Sequence, residues 1–283
     1  MNNWITKELS RQVHQIEFND VHSGWTQDVL LMSDEHWDNK KCCLDILKRH
    51  HEEAKAKNAP ILKFGDLFCA MQGKWDKRAD QDQLREEHRG NSYLDKLVET
   101  AHEWYKPYVQ QIALITPGNH EQSIVDRHQT NLTDRLVTLL KQDSDNVYTG
   151  DYWGYVKFRF KYGKGRSNSV DLHYHHGYGG GGEVTRGLID NSRTRSQYDA
   201  DVFYSGHIHR RNMDENIVTA INKLGNIISR RQLFLRGSTY KNETTGWHAA
   251  KGRSSRPIGG WWLRFTVTKN SDWHVTTEAI SAI

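Results

Sequence analysis

The sequence predicts an α/β fold, a sandwich of two mixed β-sheets flanked by α-helices, on three observations. Four short apolar runs, at 29–32, 61–64, 112–116 and 202–204, read as strands buried on both faces. Helical spacing of apolar residues marks segments between the earlier runs, and strand-like runs dominate from Val147 onward. A polar cluster rich in oxygen and imidazole groups follows each of the four runs directly. In open α/β sheets, the loops at the carboxyl ends of strands are where sites form.

Residues 15–18 and 29–33 read as the opening strands, with Asp34 at the exit of the second. A helix is expected over 41–57, where Leu44, Ile46 and Leu47 offer a modest apolar face before Pro60 starts the next strand. The stretch 74–90 is highly charged and reads as exposed surface. Leu94, Leu97, Val98, Ala101 and Trp104 predict a helix over 93–105, and Leu132, Leu136, Leu139 and Leu140 predict another beyond the loop at 118–121. Strands are expected at 152–160, 169–175, 201–205, 217–220 and 227–235, with 261–268 and 274–280 closing the chain as an antiparallel pair. The polar clusters interleave from Asp34 to His209, so residues 1–283 are expected to form one domain.

The chain has 283 residues, with 39 Lys and Arg against 35 Asp and Glu, a net charge of +4 that suits an anionic ligand without demanding one. Arg230, Arg231, Arg236, Lys251, Arg253 and Arg256 are interleaved with Trp247, Trp261 and Trp262. That region is either a base-stacking, backbone-tracking surface or a set of core tryptophans beside solvated charges. Cys42, Cys43 and Cys69 give no disulfide framework and no Cys-x-x-Cys pair, which suits a reducing compartment. With no apolar signal core and no run of membrane-spanning length, a cytoplasmic protein without a membrane partner is expected.

Five clusters carry the chemistry: Asp34-Glu35-His36, Gly65-Asp66, Gly118-Asn119-His120-Glu121, His175-His176-Gly177 and Gly206-His207-Ile208-His209. Residues two apart in extended backbone point to one side, so Asp34 and His36 can reach a common ion, as can His207 and His209. Together the clusters offer enough ligands for two neighbouring cations. Nitrogen and oxygen donors without thiolate suit manganese, iron, zinc or similar ions. Gly179-Gly180-Gly181-Gly182 is not a P-loop, because no Lys-Ser/Thr follows, and reads as a flexible rim or a plain loop.

This order of motifs resembles the calcineurin-like metallophosphoesterase superfamily, whose pattern is Asp-x-His, Gly-Asp, Gly-Asn-His-(Asp/Glu), a lone His, then Gly-His-x-His. The resemblance spans residues 34 to 209, roughly two-thirds of the chain. It implies a four-layer sandwich and two divalent ions, manganese first, with iron, zinc, nickel or cobalt as alternatives. Asp34, His36, Asp66 and His209 would hold one ion, and Asp66, Asn119, His176 and His207 the other, Asp66 bridging. A hydroxide between the ions would attack phosphorus in line, and His120 would face the leaving group. His120 bonded to a backbone carbonyl is the competing reading. Counting two divalent ions, two Asp carboxylates and one hydroxide leaves about +1 at the site, which favours an anionic ester. His176 is preferred over His175 as the ligand, since it stands immediately before Gly177.

Cys69 occupies the position where the protein phosphatase branch carries an Asp that orients the catalytic His, and Asp76 is a substitute for that role. Gly65-Asp66-Leu67-Phe68 is similar to a segment of the double-strand-break repair nucleases of the superfamily. The expected activity is therefore a phosphodiesterase or nuclease acting on DNA, RNA or nucleotides. The alternatives are a phosphomonoesterase, acting on nucleotides or proteins, and a non-catalytic module on the same fold. Arg78 and His88 are candidates for substrate contact, with solvated surface as the simpler reading.

Overall fold

The computed structural model describes residues 3–71, 81–163, 165–180, 182, 185, 187–245, 250–252 and 254–283. Asp76, Arg78, Gly181, Trp247 and Arg253, named above, lie outside the described residues. In chain order the strands are β1 (Trp4–Ser10), β2 (Val13–Phe18), β3 (Thr26–Met32), β4 (Ile61–Phe64), β5 (Ile112–Thr116), β6 (Tyr148–Thr149), β7 (Trp153–Tyr162), β8 (Arg166–His175), β9 (Val202–Ser205), β10 (Asn212–Ile221), β11 (Ile227–Arg236), β12 (Gly260–Lys269) and β13 (Trp273–Ala282). The helices are α1 (Leu44–Ala56), α2 (Tyr93–Tyr105), α3 (Asn119–His128), α4 (Leu132–Leu140) and α5 (Leu188–Gln197).

One sheet has seven strands in the order β1-β2-β7-β8-β9-β11-β10, and the other has six, β13-β12-β3-β4-β5-β6. Both are mixed. Within the six-stranded sheet β3, β4 and β5 run parallel, and within the seven-stranded sheet β8, β9 and β11 do. Parallel neighbours bring their carboxyl ends to one edge, which collects the clusters that follow β3, β4, β5, β8 and β9.

Strand alternation divides the core in two. Val29, Leu31, Leu62 and Phe64 face the other sheet, where they meet Phe158, Leu172, Tyr174 and Tyr204. Leu30, Met32 and Ile61 face the opposite way, against Leu47 of α1, Leu97 and Ala101 of α2, and Leu136 of α4. The six-stranded sheet is thus covered on both faces, which is why its central strands read as unbroken apolar runs. Lys63 breaks the run in β4 and is only 2 % exposed. It donates to Glu35 Oε1 at 2.6 Å and approaches His51 Nε2 at 2.9 Å, and the Tyr105 hydroxyl donates to Glu35 Oε2 at 2.6 Å.

Several expectations are revised. The segment after Gly118, expected as a loop, is the first turn of α3, so Asn119 and His120 sit at a helix N-terminus. Strand β1 and helix α5 were not foreseen; β1 buries only Trp4 and Thr6, and α5 only Asn191. His88, expected at the solvated surface, is fully buried and lies 2.9 Å from Thr100 Oγ1. Trp261 and Trp262 are core residues, one between the sheets and one under the helices. Arg236 and Arg256 are buried, and Arg230 and Arg231 pair with Asp199 and Glu215. The stacking surface therefore loses its aromatic members among the described residues. No helix among the described residues is long and apolar enough to cross a membrane.

Candidate metal centre

Five of the seven expected ligands have left-handed backbone: Asp34 (φ 56°), His36 (47°), Asp66 (52°), His207 (72°) and His209 (54°). This region is uncommon for residues other than glycine and costs on the order of 1–3 kcal/mol each. The extended backbone assumed for Asp34 with His36, and for His207 with His209, is therefore overturned. Their side chains converge because tight turns aim them, not because strand alternation does. Surrounding hydrogen bonds hold those turns: Asp34 N donates to Gly65 O and His36 N to Asp66 O, both at 3.0 Å. From the far end of the chain, Tyr240 N (3.0 Å) and Thr239 Oγ1 (2.9 Å) both donate to Asp34 O.

The side chains gather into two groups, each with two buried members and at least one half-buried member. In the first, His209 Nε2 lies 3.2 Å from Asp34 Oδ1 and 3.2 Å from His36 Nε2. In the second, His176 Nε2 lies 3.2 Å from Asp66 Oδ2, and Asn119 Oδ1 is 3.2 Å from His176 Nε2 and 2.7 Å from His207 Nδ1. Within each group, Asp34, His36 and His209 or Asp66, His176 and His207, donor atoms lie within 4.8 Å of one another, as a metal ion would require. The groups are linked, since His207 N donates to both Asp34 oxygens at 3.1 Å. His175 stands outside both, accepting from Gly177 N at 2.8 Å. Of the glycine run, Gly179 O lies 2.8 Å from His207 Nε2.

Two glycines make this proximity feasible. A Cβ on Gly118 would fall 2.2 Å from Asp66 Oδ1, and one on Gly65, which also has φ +87°, would fall 2.3 Å from His176 Nδ1. In both motifs the glycine is the space its neighbour's ligand occupies.

The electrostatics set buried acidic side chains against imidazoles. Asp34, Asp66, Glu121 and Glu243 are each no more than 4 % exposed. Burial pushes Asp66 up, but His176 and His120 beside it hold its carboxyl well below the usual range. Burial pulls His176 down, yet Asp66 and Asp34 raise it to about 9. Against the same burial, Asp34 and Glu243 raise His209 to about 10. His36 and His207 are lowered, mainly by burial, and so stand neutral and ready to coordinate. Buried carboxylates beside neutral imidazoles and one amide oxygen form a donor set that fits hard or borderline divalent ions.

His120 makes two different contacts. Its Nδ1 lies 2.5 Å from Cys69 O, while its Nε2 faces Asp66 Oδ2 at 3.7 Å and its backbone N donates to Asp66 Oδ1 at 3.0 Å. The carbonyl contact weighed as a competing reading is present, and it leaves the other nitrogen turned to the site. The group that orients His120 is thus a backbone carbonyl rather than a thiol. Asp38 fixes that carbonyl's segment by accepting from Cys69 N and from Ala70 N.

Glu121 accepts from Asp66 N (3.1 Å), Gly118 N (2.8 Å) and Phe68 N (2.8 Å), tying two motifs together. Burial and the nearby Asp66 push its carboxyl up to about 8, against the N–H groups of Phe68 and Gly118. Glu243, which no sequence signal marked, lies with Oε1 2.9 Å from His209 Nδ1. It comes from a polar stretch beyond the last motif, where nothing in the spacing singles it out.

Motif order and the meeting of all five clusters at one buried site agree. The chain resembles the calcineurin-like metallophosphoesterases. No family model matches it, and neither does any curated protein. Among solved structures it is similar to Vps29 of Chaetomium thermophilum, at 10% identity and TM-score 0.37 over 90% of this chain and 96% of that one. A metallophosphoesterase of Sphaerobacter thermophilus gives 10% and 0.37 over 90% and 88%. A conserved uncharacterized protein of Streptococcus pneumoniae described as a predicted phosphoesterase gives 11% and 0.32 over 91% and 98%. Superpositions this loose add nothing to the geometry of the site.

Proposed function

We propose that this chain is a two-metal phosphoesterase acting on phosphodiesters of nucleic acid or nucleotides, with residues 1–283 as one domain. The observation that carries the reading is the convergence of Asp34, His36 and His209 with Asp66, Asn119, His176 and His207 in one buried site. Asp34, His36, Asp66 and His209 would hold one divalent ion, and Asp66, Asn119, His176 and His207 the other, with manganese the expected metal. When bound, such a pair supplies Lewis-acid stabilisation of charge on the phosphoryl group.

The chain's own residues do the rest. Nδ1 of His120 is committed to Cys69 O, so Nε2 is the nitrogen that would give a proton to the departing ester oxygen. A positioned acid of this kind contributes about 10²–10⁴-fold in rate. Glu121 keeps Asp66 and the α3 N-terminus in register through three N–H bonds. Asn119 completes its ligand group without adding negative charge, which keeps the site attractive to an anionic ester. The diester preference rests on the Gly65-Asp66-Leu67-Phe68 segment alone.

Elemental analysis and hydrolysis of bis-(p-nitrophenyl) phosphate against p-nitrophenyl phosphate test the reading, followed by a panel of DNA, RNA and nucleotides. Chelator-sensitive diester cleavage restored by manganese is expected. Faster monoester cleavage overturns the diester preference, and activity indifferent to chelation overturns the metal mechanism. Full activity in His120→Ala removes the acid role.

A further inference from the structure

Besides the two groups above, a third set of donors converges. Cys69 Sγ and one ring nitrogen each of His36 and His120 lie within 4.8 Å of one another, the same spacing that the other two groups meet. We propose that Cys69, His36 and His120 form a thiolate-containing site that captures a soft divalent cation, such as zinc or cadmium, and in doing so takes His120 out of service.

The donor types separate this set from its neighbours. Carboxylate, amide and imidazole groups suit manganese and similar ions, whereas a sulfur donor selects softer ones. Three protein ligands drawn from Cys and His leave the fourth position of a tetrahedral zinc site open. Among the described residues, the sulfur receives one weak contact, from Asn39 Nδ2 at 3.4 Å, so little holds it back from a cation. His36 has a donor to spare. Its Nε2 lies against His209, while its Nδ1 is buried with no hydrogen-bond partner.

The segment is also held ready. Ala70 has a left-handed backbone (φ 47°), and the Asp38 carboxylate pins the N–H groups of Cys69 and Ala70. Asp38 in turn accepts from the Tyr93 hydroxyl at 2.9 Å. The His36 and His120 rings are 4.9 Å apart, edge to face.

Capture is a proton exchange without redox change: the sulfur–metal and nitrogen–metal bonds form as the S–H proton and the ring protons on His36 Nδ1 and His120 Nε2 leave to solvent. An oxygen-preferring ion such as manganese gains little there, and a soft ion gains a thiolate. His120 engaged in this way cannot protonate a leaving group, so the site acts as an off-switch answering to soft metals. Only that last consequence rests on the phosphoesterase reading.

The test uses the full chain carrying Cys42→Ser and Cys43→Ser, preloaded with manganese and titrated with cadmium. Ultraviolet absorbance reads thiolate–cadmium charge transfer, and a diester assay runs in parallel. The expected result is one further equivalent bound with a charge-transfer band and a loss of activity of about tenfold or more. The band should be absent in Cys69→Ser and, as a check on folding, in Cys69→Ala. No band in the parent, or a band that survives loss of Cys69, overturns the proposal. A band without any manganese-dependent hydrolysis upholds the cation site and instead overturns the phosphoesterase reading.

Discussion

His209 Nδ1 lies 2.9 Å from the buried carboxylate of Glu243, thirty-four residues further along the chain. That contact fixes the imidazole so that its Nε2 points at Asp34 and His36. Glu243 is therefore a positioning residue for the first ligand group. Outer partners of metal-binding histidines typically contribute 10–100-fold in affinity. Glu243→Ala should lower manganese affinity at one of two sites by about that factor, with Glu243→Gln intermediate, by titration calorimetry. Equal affinity at both sites in Glu243→Ala contradicts the role.

Lys63 and Glu35 form a buried ion pair, 2 % and 1 % exposed, beneath the turn that carries Asp34 and His36. Removing one partner of such a pair leaves an uncompensated charge and costs about 3–5 kcal/mol. Lys63→Met should lose that much stability in urea unfolding, and adding Glu35→Leu should restore a large part of it. A single variant as stable as the parent would show that the pair has no structural weight.

The metal-free site should prefer low pH and the metal-bound site high pH. His176 at about 9 and His209 at about 10 sit above the ordinary 6.5. Their contribution to stability is thus fully present below about pH 6.5 and is lost as pH rises through about 9–10. Cations compete with those same protons. Thermal unfolding in chelator should show a falling Tm from pH 6 to pH 10, while apparent manganese affinity climbs. Binding near pH 7 should release protons, read as a buffer-dependent enthalpy, and a buffer-independent enthalpy would refute the assignment.

Gly118→Ala would place a methyl group 2.2 Å from Asp66 Oδ1 and 2.5 Å from Asp66 N. Asp66 would have to move, and both ligand groups depend on the turn it occupies. The variant should retain its circular dichroism spectrum while losing at least one bound metal per chain. Full metal content in a folded Gly118→Ala protein would remove Asp66 from the centre.

Much of the site was legible because its residues directly follow apolar strands. Asp34, Asp66 and His207 close behind β3, β4 and β9, and Asn119 lies three residues past β5. Of the two neighbouring histidines, His176 is the one that reaches Asp66 and Asn119. What escaped notice has physical reasons. Glu243 acts through one contact across 34 residues, which leaves no periodic trace. His88 is buried behind a charged stretch, and helix α5 shows too little apolar spacing to announce itself. The left-handed turns at Asp34 and His36 use residue types that enter that region more readily than most, but the partners that hold them are distant in sequence.

Asp34 meets the backbone of His207 across a separation of 173 residues, and His36 meets His209 across the same span. An early fragment of the nascent chain therefore holds half a coordination shell and lacks its counterpart. On the proposed reading, cation uptake would await closure of the seven-stranded sheet onto the six-stranded one, making tight loading a late event in maturation and a readout of completed folding.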